Sequence, residues 1–165
     1  MTMHSSAFFG QNLLDVLAQN TNYADYLPDY NDASDIRAML SLNTYDDSGD
    51  NPVGTTALGY SDISATEHGS ATGYTVGGLA LNAAGGFTPA LTISAGVMYW
   101  RIAKDPQWTT ATITDAAGVH FYDNGPTGKP LICGLKFAAI GSSGGGFFLV
   151  DLDANFTVFD LDLQP

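Results

Sequence analysis

The chain has 165 residues and a formal net charge of −12, from 17 acidic and 5 basic side chains, with 45% hydrophobic and only 13% charged residues. That is one domain's length with enough apolar content for a core, so disorder is excluded as the default. Five basic side chains cannot neutralise a run of phosphates, and an anionic bilayer repels so acidic a chain, so neither nucleic acid nor a membrane is an expected partner.

Scarce charge and 19 glycines describe short strands and tight turns better than helices, which favour Glu, Lys and Arg. Cys133 is the single cysteine and has no intrachain partner for a disulfide. It alternates with Leu131 and Leu135 and reads as a small buried hydrophobe. No apolar run approaches the roughly 18 residues of a membrane-spanning helix. No basic residues precede the first apolar segment, so no secretory signal is expected.

Taken in order, residues 1–20 carry a helical stripe: Phe9, Leu13, Val16 and Leu17 recur at helical spacing, with Ser5 or Ser6 placed to cap its start. Such a helix is of marginal length alone. Its stripe is expected to be buried, either on its own β domain or against a neighbouring subunit. Residues 21–35 are irregular, with Pro28 and the tyrosines Tyr23, Tyr26 and Tyr30 beside carboxylates. These rings either form a contact surface or cover a sheet edge. Phe8, Phe9, Leu13, Leu17, Tyr23, Tyr26 and Tyr30 are therefore the candidate interaction residues.

From Ile36 a period of two begins: Ile36, Ala38, Leu40 and Leu42 alternate with Arg37, Met39, Ser41 and Asn43, which reads as a half-buried strand. Residues 44–72 are an unpatterned insert, with a short helix predicted near Ser61–Glu67. Further strands are predicted at Tyr74–Asn82, Leu91–Ala95, Val97–Ala103, Trp108–Thr114, Ala117–Asp123, Pro130–Ala138, Phe147–Asp153 and Phe156–Leu163. Hairpin chemistry links them, including Asp123-Asn-Gly-Pro and Ser142-Ser-Gly-Gly-Gly. Eight or nine short strands without room for helical crossovers predict an all-β fold. The expected form is an antiparallel two-sheet sandwich or jelly-roll-like domain over 36–165, with an N-terminal helical arm over 1–35.

Catalytic and metal-binding patterns are not assembled. Asp46, Asp47 and Asp50 form an acidic turn, but three carboxylates fall short of the six to eight oxygens calcium takes. His4, His68 and His120 lack zinc-ligand spacing. His120 alternates with Val119 and Phe121 and is expected to face solvent or a subunit. Asp105, Asp123 and Asp151 are conceivable glycosidase carboxylates, but nothing fixes their separation. Gly144–Gly146 opens no helix and so is not a phosphate-binding loop. Trp100, Trp108 and Tyr99 invite comparison with sugar-stacking platforms, although Tyr99 and Trp100, being adjacent on a strand, point to opposite faces. No enzyme activity, cofactor or metal is expected.

Five blocks carry a resemblance: Leu40–Tyr45 (LSLNTY), Gly73–Gly78 (GYTVGG), Trp108–Thr114 (WTTATIT), Val119–Asp123 (VHFYD) and Pro130–Gly134 (PLICG). As a set, spanning Ile36 to Phe137, they resemble small virion structural proteins of tailed bacteriophages encoded near the major capsid protein. The 46–72 insert is longer than in that family, and the helical N-terminus has no counterpart there. The resemblance implies a head decoration (cement) protein on the outer capsid surface, bound to the major capsid protein, with no catalytic residues. Three-fold sites on such shells suggest a homotrimer, whose contacts in so acidic a chain should be apolar and rich in Thr and Gly. Alternatives are a tail or fibre adaptor and a glycan- or receptor-binding β-sandwich module.

Overall fold

A computed structural model describes residues 3–8, 28–31, 34–42 and 59–162. The helical stripe from Phe9 through Leu13 to Leu17, the rings of Tyr23 and Tyr26, and the acidic turn at Asp46, Asp47 and Asp50 lie outside them. The fold is all-β, with two antiparallel sheets. β1 (Met3–Phe8), β2 (Ile36–Leu42), β3 (Leu79–Ala80), β6 (Gln107–Asp123) and β7 (Leu131–Leu149) form one sheet in the order β1-β7-β6-β2-β3. The second sheet is β4-β5-β8, made of Ala90–Ser94, Val97–Arg101 and Thr157–Asp162.

Between the sheets, Trp100 is fully buried, edge-on to Phe121 at 5.6 Å and stacked with Phe159 at 5.8 Å. Its indole Nε1 donates to the Tyr30 carbonyl at 2.8 Å. The ring of Tyr30 in turn lies edge-on to both Trp100 and Phe159. Aromatic pairs at these separations add about 1 kcal/mol each beyond the apolar area they bury. Tyr30, expected among the contact residues, is thus held by the core, which serves the sheet-covering role read for these rings.

Strand β1 corrects one local expectation. Ser5 and Ser6 do not cap a helix; they pair with Lys136 and Leu135 of β7, and Phe8 pairs with Cys133. The first residues of the arm are therefore backbone-paired into the main sheet.

The count of eight strands is within expectation, but the chain is divided among them differently. Trp108–Thr114 and Ala117–Asp123 are one 17-residue strand, and Pro130–Ala138 and Phe147–Asp153 merge into the 19-residue β7. Bulges explain why the alternation breaks without the strand ending. Thr110 and Asp115 in β6 and Gly145 in β7 take φ of 53°, 54° and 86°, next to shifts in the β6–β7 register. Each bulge inserts a residue that faces no partner. Ser143 Oγ patches one of them, donating to the Ala111 carbonyl at 2.7 Å and accepting from Ile113 N at 3.3 Å. Ser142 Oγ accepts from Asp115 N at 3.4 Å. The Ser-Ser-Gly-Gly-Gly run, predicted as a hairpin turn, is bulged strand.

Strand β2 is also more buried than its alternation suggests. Ile36, Ala38 and Leu40 face the main core, yet Met39 and Ser41 on the other face are equally inaccessible. The cover is residues 59–78, which include the predicted short helix as α1 (Tyr60–Ile63) followed by a 3₁₀ turn at Ser64–Thr66. Met39, Ile63, Tyr122 and Leu131 form a second, smaller core beneath this segment, with Tyr60 packed against it.

Candidate interaction surface

Residues 59–78 carry a network of hydrogen-bonded polar side chains centred on Glu67. Backbone contacts lay the segment on the sheet: Tyr60 N donates to Lys129 O, His68 N to Leu40 O, and Thr112 N to Thr72 O. Glu67, only 7% exposed, sits at the centre. One carboxylate oxygen accepts from Tyr60 Oη. The other accepts from Tyr74 Oη and from Gly77 N, both at 2.7 Å. Tyr74 Oη also accepts from Leu40 N at 3.1 Å. Tyr122 Oη donates to the Gly77 carbonyl at 2.7 Å, and its ring stacks on Tyr60 at 4.8 Å.

The phenols are shifted accordingly. Burial, then hydrogen bonding to Glu67, pushes those of Tyr60 and Tyr74 well above the usual phenol range. Burial lifts Tyr122 to about 12. These groups therefore stay protonated as donors and are poor proton acceptors at neutral pH.

The histidines are equally committed. His68 Nδ1 faces the Gly69 carbonyl at 2.6 Å, so it carries the proton, while Nε2 accepts from Thr114 N at 3.1 Å. His120 is 2% exposed, not at the surface as its alternation predicted, and lies 3.2 Å from Ser41 Oγ. Desolvation lowers its pKa to about 4, which keeps the imidazole neutral. Tyr122, two residues further along the same strand, is 1% exposed. Residues 59–78 cover Tyr122, whose ring packs with Tyr60 and Ile63 in the second core.

The remaining sequence candidates are structural as well. Asp123 is buried, and its carboxylate accepts from Asp29 N at 2.8 Å and Gly125 N at 2.9 Å. Asp105 accepts from Leu152 N at 3.0 Å, and Asp151 is exposed. The carboxylates of Asp123 and Asp105 hold loops. Burial pushes the Cys133 thiol up, away from the thiolate a nucleophile requires. Trp100 and Trp108 are 0% and 4% exposed, so neither offers a ring for a sugar to stack on. Among the described residues no three His, Cys, Asp or Glu side chains stand together as a metal site.

The Gly73–Gly78 block has a packing rationale of its own. A Cβ at Gly73 would stand 2.7 Å from Ala111 Cα, and one at Gly78 would stand 2.2 Å from the Ala38 carbonyl oxygen. Both glycines also have positive φ. The segment lies so close on β6 and β2 that only glycine fits.

The surface presents a different kind of feature. Residues 107–114 and 137–150, most of the far half of the β6–β7 ribbon, contain no charged side chain in a chain of net charge −12. On their inner face Trp108, Phe137 and Phe148 pack together and join the core. The outer positions are threonines of β6 and, on β7, Ile140, Phe147 and Leu149, exposed by 56%, 71% and 39%. No strand among the described residues pairs with the outer edge of β7 beyond Phe137, because β1 ends its pairing there. Sequence reading missed this surface because the Ser-Gly run looked like a turn. The signal was present as a gap in the charge distribution.

No protein-family model, curated protein or solved structure matches this chain.

Proposed function

We propose that this chain is a structural virion protein that decorates and stabilises a bacteriophage capsid by binding the major capsid protein, and that it acts as a homotrimer. The observation that carries the reading is the uncharged, apolar surface of the β6–β7 ribbon on an otherwise acidic molecule. Ile140, Phe147 and Leu149 are large exposed apolar side chains on a stretch without charge, which suits a contact surface. This one has the Thr- and Gly-rich character that a trimer contact in so acidic a chain requires. The five sequence blocks that resemble tailed-phage virion proteins support the same reading. So does the commitment of the buried polar groups to one another, which suits a rigid building block. Phe9, Leu13, Leu17, Tyr23 and Tyr26 are the proposed contacts to the shell.

The test is stoichiometry in purified particles, measured by quantitative mass spectrometry against the major capsid protein. Hundreds of copies per particle are expected. A few to about a dozen would instead indicate a tail or fibre adaptor, and absence from particles would overturn the proposal.

A further inference from the structure

We infer that copies of this chain meet one another along the outer edge of β7, residues 138–149, with Phe147 and Ile140 as the anchoring side chains. Natural edge strands are blunted by lysines, prolines, inward-pointing charges or bulges. This edge has a bulge at Gly145 but neither charge nor proline over twelve residues, roughly 40 Å of strand at about 3.3 Å per residue. It exposes instead a phenylalanine, an isoleucine and a leucine.

Charge selects the occupant. A basic partner would be drawn to the acidic surface elsewhere on the molecule and would gain nothing from a neutral strip. Another copy, carrying the same −12, is repelled everywhere except where charge is missing. The strip therefore suits self-contact.

Two details give the mode of contact. Gly144 and Gly146 have ordinary backbone angles, and a Cβ at either would meet nothing within 4 Å. Packing inside the monomer thus gives no reason for glycine there, whereas close approach of a second backbone does. Gly145 bulges the strand at φ 86°, which breaks the row of hydrogen-bonding groups that a continued sheet would need. The copies therefore pack by side chains over a low glycine saddle, not by extending the β6–β7 sheet. The inference rests on the virion reading only for the number of copies.

Sedimentation of the purified full-length chain, without any capsid, tests it. Wild type should self-associate, more tightly as added salt screens the like charges. F147K and I140K should each weaken association by about tenfold or more. I93K should leave it unchanged, because Ile93 is 69% exposed but lies on β4 of the other sheet. Circular dichroism checks that each variant folds, and G146K places a charge on the same edge if F147K does not. Wild type monomeric at every concentration and salt, F147K and I140K associating like wild type, or I93K dissociating equally would each overturn the inference. A chain that is monomeric alone yet abundant in particles would refute this contact while leaving the virion reading standing. A chain that self-associates through this edge but is missing from particles would do the reverse.

Discussion

Between pH 7 and pH 5 the fold is expected to lose about 2 kcal/mol through one side chain, His120. The imidazole is buried on β6, with Ser41 Oγ of β2 at 3.2 Å. Its pKa falls from the ordinary 6.5 to about 4 because burial disfavours the cation. The unfolded chain then binds more protons than the folded one between those two values. Stability is accordingly full above pH 6.5 and declines as the pH falls toward 4. At about 1.4 kcal/mol per pKa unit, the complete loss is about 3 kcal/mol, and about 2 kcal/mol of it has appeared by pH 5. Urea unfolding at pH 7, 6 and 5 measures it. Carboxylates and the overall charge also respond to pH, so the comparison is with His120→Gln, which keeps a polar partner for Ser41 but cannot titrate. Wild type should lose about 2 kcal/mol more than the variant over this range. Parallel pH profiles for the two proteins would refute the reasoning.

Three further substitutions probe the 59–78 cover. Tyr74→Phe removes the hydroxyl between Leu40 N and Glu67, leaving a buried donor without its acceptor, and should cost about 2 to 3 kcal/mol in urea unfolding; a change under about 0.5 kcal/mol would mean that the network does not hold the segment. Gly78→Ala drives a Cβ into the Ala38 carbonyl at positive φ and should lower Tm by about 10 °C or more. Gly69→Ala, where a Cβ meets nothing within 4 Å, should shift Tm by no more than about 2 °C, and equal shifts for the two would count against the steric argument.

Much of this architecture was legible because a half-buried strand writes its burial as alternation. β2, β4, β5, β8 and the 60–66 helical turns fall close to where the sequence pattern puts them, and Cys133 is buried as expected. Alternation fails where a second layer covers the outer face. Tyr122 and Met39 are polar-side positions by pattern, but residues 59–78 bury them, and that cover is decided by tertiary contacts such as Tyr74 to Leu40. It also fails at bulges, where Thr110 and Asp115 slip the phase and divide one strand into two apparent ones. The contact strip was hidden for a related reason: glycine and serine within a bulged strand have the composition of a turn.

The pairing of β1 with β7 sets a timetable for the polypeptide. Phe8 meets Cys133 and Met3 meets Phe137, so the strand nearest the N-terminus waits for residues roughly 130 positions later before it has a neighbour. Such distant closures slow folding, and on a ribosome adding about 5 to 20 residues per second the wait lasts many seconds. β7 itself must first find β6 across the 124–130 turn, and only then does its near half offer β1 an edge. β1 is thus made long before it is placed, since its pairing waits until β7 has left the ribosome.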